Sequence, residues 1–237
     1  MQELIYSLRN ELKLCSDPKT KKSTEYFFKD TIQCYGIKAA MVQRIGKEYY
    51  KEIKTKSKDE VFAHCNELWQ SGYLEETLIA CAWSYNLRKQ YDEQDIVLFE
   101  KWIDTNIDNW ASCDTFCNHT VGTFIEMYPQ YISVLKRWTK SENRWMRRAA
   151  AVSLIVPAKR GLFLDDVFEI ADILLLDKED MVQKGYGWML KVASKPYEQE
   201  VFEYVMAHKA VMPRTALRYA IEKMPVDLRK EAMEKDE

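Results

Sequence analysis

The chain is poor in the residues that punctuate β structure. Its 237 residues contain seven glycines and six prolines, too few for the many tight turns of a sandwich or barrel. No stretch approaches the roughly 20 consecutive apolar residues that a membrane span needs. The first residues, MQELIYSLRNELK, have the periodicity of an amphipathic helix and lack the basic, apolar, small-residue order of an export signal. No long apolar heptad run is present, which excludes an extended coiled coil. A charge excess is missing as well: 35 basic against 37 acidic residues give a net charge of −2. That balance neither demands nor forbids a polyanionic partner. The six cysteines (Cys15, Cys34, Cys65, Cys81, Cys113, Cys117) show no paired spacing. With no leader visible, the expectation is a cytoplasmic protein with reduced thiols.

Helical periodicity runs almost throughout. In DEVFAHCNELWQ the residues Val61, Phe62, Cys65, Leu68 and Trp69 fall on one face, and in QDIVLFEKWIDT the set Ile96, Phe99, Trp102 and Ile103 does the same. VFEIADILLL repeats the pattern. Prolines and Gly-containing turns separate these segments at Pro18, Gly72, Pro129, Pro157, Gly161, Pro196, Pro213 and Pro225. The pattern predicts about a dozen helices of roughly 10–16 residues joined by short loops. Stacked helix pairs of this kind predict an all-α, α-α superhelix, a HEAT-like solenoid with repeats of roughly 40 residues spanning 1–237 as one domain.

Basic residues cluster late in the chain. Lys136, Arg137, Lys140, Arg144, Arg147, Arg148, Lys159 and Arg160 face a single acid, Glu142, over 136–160. Lys184, Lys191 and Lys195 form a second set, and Lys209, Arg214 and Arg218 a third. The acids lie elsewhere, in 92–95, 176–180 and 234–237. Successive repeats of a solenoid line one concave surface, so these sets would merge into a basic groove facing a phosphate backbone. Solvated helix faces are the plainer alternative. Arg147 and Arg148 point about 100° apart on a helix, so only one of them faces such a groove and the other is a surface residue.

Three stretches carry a resemblance to a known family. NWASCD holds Trp110 and Asp114, NRWMRRAA holds Arg148 before the paired alanines, and GWMLK holds Trp188. In order and spacing they resemble the AlkD-type DNA glycosylases of the DNA alkylation repair family, with weaker echoes at 35–45, 67–76 and 213–223. The resemblance implies a HEAT-like enzyme that removes cationic alkylated purines, such as 3-methyladenine and 7-methylguanine, from double-stranded DNA by hydrolysis. It implies no cofactor, no metal and no obligate protein partner, and a monomer. It assigns catalysis to Asp114, framed by Trp110 and Trp188. DNA contact falls to Arg148, Lys191, Lys195, Arg144, Arg147 and Phe27. Phe27 stands where characterised members have tyrosine, Lys191 where they often have arginine, and Ala111 where an aspartate is common.

The chemistry of these residue types agrees. Trp110 and Asp114 are i and i+4, so they share a helix face. A carboxylate shielded by an indole acts strongly on a nearby cation, and glycosidic hydrolysis develops a sugar cation that such a carboxylate opposes. A cationic purine leaves as a neutral base, so one acid suffices. The alternative is a non-catalytic HEAT-repeat module that binds DNA or protein through the same groove; a relative with altered substrate is a further rival, kept open by Phe27. Cys113 and Cys117, also i and i+4, are two potential zinc ligands with no second pair to complete a tetrahedron, and small-residue packing is expected of them. No role is assigned to His119. Gly185 and Gly187 cost about 1 kcal/mol each inside a helix, which points to close approach by a neighbour or ligand, or to a helix start.

Overall fold

The structure, a computed structural model, describes residues 2–28 and 30–234; the acidic segment at 234–237 lies outside the described residues beyond Glu234. It is all-α, as expected. Among the described residues the one strand-like feature is an isolated parallel bridge between Gln33 and Tyr73. The chain forms two compact units, Met1–Phe116 and Cys117–Glu237.

The first unit contains α1 (Gln2–Leu14), α2 (Pro18–Phe27), α3 (Ala39–Ile53), α4 (Lys58–Trp69), α5 (Leu74–Asn86), α6 (Asp95–Asn106) and α7 (Trp110–Phe116). Local chemistry sets the starts. Asp17 caps α2 by accepting from the Thr20 N–H at 2.8 Å, and Pro18 occupies the first turn. Ser57 and Glu60 form a reciprocal capping box on α4. Helices α3, α5 and α7 pack side by side, with α4 and α6 behind them. The apolar faces read from the sequence are the buried ones: Val61, Phe62, Cys65, Leu68, Trp69, Ile96, Phe99, Trp102 and Ile103 all lie inside. Their rings form a connected aromatic core into which Phe116, the last residue of α7, inserts edge-on against Trp69 at 5.4 Å and Phe99 at 5.6 Å.

The second unit opens with a π-helical turn, Cys117–Val121, and continues through α8 (Gly122–Met127), α9 (Ile132–Trp138), α10 (Arg144–Val152), α11 (Ile155–Lys159), α12 (Leu164–Leu174), α13 (Asp180–Ala193), α14 (Glu198–His208), α15 (Arg214–Ala220) and α16 (Val226–Met233). Here α10, α13 and α15 pack side by side. Several helices are shorter than the 10–16 residues expected, down to five in α11. Their brevity reflects packing, because burial between neighbours stabilises turns that would be marginal alone. No helix among the described residues is long and apolar enough to cross a membrane.

Candidate active site

In the first unit the candidate site is built on α7. Asn109 caps this helix: its side-chain oxygen accepts the Ser112 N–H at 2.9 Å, and its amide donates to the Ser112 hydroxyl at 3.1 Å. The Ser112 hydroxyl also lies 2.9 Å from that of Thr77 on α5. With Phe116 locked in the aromatic core, both ends of this short helix are held. That leaves Trp110 and Asp114 on a face set by its neighbours.

Trp110 is half-buried and rests on a second aromatic layer. Phe28 stacks on its ring at a centroid distance of 5.4 Å and 22°, and Phe27 meets it edge-on at 5.6 Å. Phe27 stays 68% exposed, so the structure does bring this residue beside Trp110. Aromatic pairs of this kind are worth about 0.5–1.5 kcal/mol beyond their burial. Asp114, one turn along, keeps only 9% of its surface exposed. It is therefore not a solvated helix-surface charge. A carboxylate so poorly solvated acts through a lower effective dielectric than a surface acid does.

The aromatic layer under Trp110 depends on a clamp that sequence reasoning missed. Glu75 is 2% exposed, and its carboxylate accepts three backbone N–H groups, from Tyr35 at 2.9 Å, Gly36 at 2.8 Å and Ile37 at 3.1 Å. Glu76, fully buried, accepts the Tyr35 hydroxyl at 2.7 Å and Arg9 Nε at 3.0 Å. Burial and this carboxylate push the Tyr35 phenol well above its ordinary range. The clamp fixes residues 33–37 beneath α2. Gly36, at φ +85°, would place a Cβ 2.5 Å from that of Lys21, so only glycine permits the contact. The pair Glu75-Glu76 on a helix otherwise apolar nearby was the available signal; Phe28 and Asn109 were visible only as an aromatic doublet and an Asn-x-x-Ser cap pattern.

In the second unit the candidate residues lie on and beside α10 and α13. The half-exposed residues Lys184, Trp188 and Lys191, with exposed Lys195 just past the helix, recur at i, i+4, i+7 and i+11 and so form one stripe. Arg148 is 5% exposed and lies across Gly185, where an added Cβ would sit 3.3 Å from its Cγ. Its guanidinium donates to the Met181 carbonyl. Arg148 is thereby held one turn before Trp188. Gly187 is tighter still, for a Cβ there would lie 2.7 Å from the Ala216 carbonyl oxygen and 2.8 Å from the Tyr219 Cβ. Since α13 begins at Asp180, a helix start does not explain these glycines; close approach by α10 and α15 does.

The other cations are more occupied than their sequence neighbours suggest. Arg147 is not a loose surface residue: it pairs with Asp177 at 2.6 Å and donates to the Ser141 and Glu142 carbonyls. Arg144 lies over the Trp145 ring at 4.8 Å and 3.5 Å from Glu179. Lys191 pairs with Glu222 at 2.9 Å and sits over Tyr219. Arg160 pairs with Glu126, and Lys136 with Asp166 and Glu169; those two carboxylates hold the Lys136 ammonium above its ordinary pKa. Much of the charge surplus of 136–160 is thus balanced by acids brought in from other helices. Cys113 and Cys117 are both fully buried, Cys113 on α7 and Cys117 at the start of the π turn. His119 is exposed on that turn.

Comparison with known proteins decides the family. The family described as DNA alkylation repair enzyme matches residues 8–224. The chain belongs to that family. Among solved structures it is similar to a "Predicted DNA alkylation repair enzyme from Enterococcus faecalis", with a TM-score of 0.80 and 21% identity, covering 89% of this chain and 97% of that one. At that identity the likeness speaks for the shared all-α fold. No curated protein matches the chain. The DNA alkylation repair enzymes act on damaged DNA, and the buried aspartate beside Trp110 has to be understood in that setting.

Proposed function

We propose that this family member is a monofunctional DNA glycosylase, hydrolysing the N-glycosidic bond of cationic alkylated purines such as 3-methyladenine and 7-methylguanine in double-stranded DNA. It acts as a cytoplasmic monomer without a cofactor. Asp114 faces the deoxyribose as positive charge develops there, stabilises that charge and orients the attacking water. Trp110 and Trp188 lend π faces to the electron-poor sugar. Arg148 holds a phosphate beside the lesion, its planar fork suiting the oxygens. Lys195, Lys191 and Arg144 extend that grip, with Arg147 holding the α10 end in place. The purine departs neutral, so no general acid and no lysine nucleophile is needed.

One observation carries this reading above all: a carboxylate 9% exposed, one helical turn from a half-buried indole on which a phenylalanine stacks. A module that merely binds DNA gains nothing from burying an acid next to a surface meant for a polyanion. The test is release of free 7-methylguanine from methylated duplex DNA. The wild-type chain should release it, and Asp114→Asn should be slower by about 10²-fold or more. Equal rates would remove Asp114 from the mechanism. No release by wild type, with duplex binding retained, would establish the non-catalytic binding module.

A further inference from the structure

A chain of buried hydroxyls fixes the rotation of the short helix α7. Thr77, near the start of α5, donates its hydroxyl proton to the Leu74 carbonyl at 2.9 Å. A hydroxyl has one proton to give. The 2.9 Å contact between the Ser112 and Thr77 hydroxyls therefore runs from Ser112 to Thr77. Ser112 in turn accepts from the Asn109 side-chain amide at 3.1 Å, whose other N–H goes to Asp108 at 2.8 Å. The donors in the row Asn109, Ser112 and Thr77 all point one way, toward α5. The three residues are 3%, 0% and 3% exposed, so a group that loses its partner here finds no bulk water to replace it.

Ser112 stands midway in sequence between Trp110 and Asp114. On a helix its side chain leaves the axis about 180° from the mean direction of those two. Tying the Ser112 hydroxyl to α5 thus sets how far α7 is turned about its own axis. A side chain reaches about 6 Å from a helix axis, so a turn of about 10° carries the Asp114 carboxylate through about 1 Å. The same turns of α5 carry the rest of the mounting. Leu74 packs in the cluster that includes Phe28, its N–H donates to the Gln33 carbonyl at 2.8 Å, and Glu75 accepts from Tyr35, Gly36 and Ile37. Thr77 therefore registers the helix that bears Asp114 against the frame that carries the aromatic layer under Trp110.

We infer that Thr77 is a positioning residue of the site. Buried, it reaches no substrate atom itself; through the Ser112 hydroxyl it fixes the rotation of α7, and so the distance from Asp114 to the reacting sugar. The inference rests on the reading of the chain as a glycosylase and adds a residue that this reading does not use. Its signature is kinetic. Misplacing a reacting group by about 1 Å can cost about 10²-fold in rate. The cations assigned to the phosphates lie outside α5 and α7, so duplex affinity is spared.

The test is single-turnover release of 7-methylguanine from methylated duplex by the full chain, with duplex affinity measured separately and every variant held below its melting temperature. Thr77→Val is nearly isosteric and lacks the hydroxyl. Its maximal rate should fall by about 10–100-fold, with duplex affinity close to that of wild type. Thr77→Ser restores the hydroxyl and should recover most of the rate. Ser112→Ala breaks the same link from the other side, so the double variant should be no slower than the slower single. Thr105→Val is the control: that exposed threonine on α6 also bonds a carbonyl of its own helix, and its loss should leave the rate unchanged. A folded Thr77→Val as fast as wild type would overturn the role. So would losses that multiply in the double variant, a Thr77→Ser as slow as Thr77→Val, or a deficit confined to affinity. Should Thr77→Val not fold, Ser112→Ala decides, and a wild-type rate there overturns the role. A wild type that binds duplex but releases no base strikes the glycosylase reading, and the role falls with it. An active wild type beside an equally active Thr77→Val strikes the role alone.

Discussion

Replacing Gly187 by alanine tests how α13 is mounted on α15. An added methyl would stand 2.7 Å from the Ala216 carbonyl oxygen and 2.8 Å from the Tyr219 Cβ. Carbon contacts relax near 3.5 Å, so the helices must separate by roughly 0.7 Å. Both neighbours are backbone or the root of a side chain and cannot swing aside. Overpacking of that kind costs about 1–3 kcal/mol, and the upper end applies here. Alanine recovers about 1 kcal/mol of helix propensity, leaving a net loss of about 2 kcal/mol. For a chain of this size that corresponds to a fall of roughly 4–8 °C in melting temperature. Urea titration and thermal melting both read it. Gly185→Ala is the internal comparison: its methyl meets the Arg148 Cγ at 3.3 Å, the middle of a flexible chain, so stability should change by less than about 1 kcal/mol while Arg148 shifts and DNA binding weakens. A Gly187→Ala protein as stable as wild type would refute the close-approach explanation of this glycine.

Other outcomes follow from the same structure. Glu75→Gln should cost about 3 kcal/mol in urea unfolding, because a buried carboxylate serving three backbone donors gives way to an amide that presents its own N–H groups to them. Tyr35→Phe removes one hydrogen bond to the buried Glu76 and should cost about 1–2 kcal/mol by the same measurement. Arg148→Ala should weaken duplex binding and flatten its salt dependence; an unchanged slope would count against a phosphate contact. Of the six thiols, only Cys15 should react promptly with a disulfide reagent in the native protein. The other five are buried, and burial pushes the Cys34, Cys65 and Cys81 thiols further up. All six should react after denaturation.

Periodicity alone made the helices legible, since the apolar faces marked on α4 and α6 are buried. Helix lengths were less legible, because short helices such as α7 and α11 are stabilised by contacts across the fold. The two glycines of α13 left close approach and a helix start both open, and named no partner. Trp110 and Asp114 were recognisable as a pair from their spacing. Nothing local, however, distinguished a buried aspartate from a solvated one, for that depends on Phe116 and Ser112 anchoring α7.

What the amino-acid order determined by itself is therefore the helical class, the faces turned inward and the residue types available for chemistry, because each follows from interactions within a few residues along the chain. Only the tertiary structure decided which charges remain unbalanced. Arg147, Lys136 and Arg160 looked like parts of one cationic run, yet each meets an acid roughly 30 or more positions away. Likewise Thr77 and Ser112, 35 positions apart, carried no signal in sequence and meet hydroxyl to hydroxyl. Electrostatic balance is a property of distances in space, and a chain read in one dimension does not contain them.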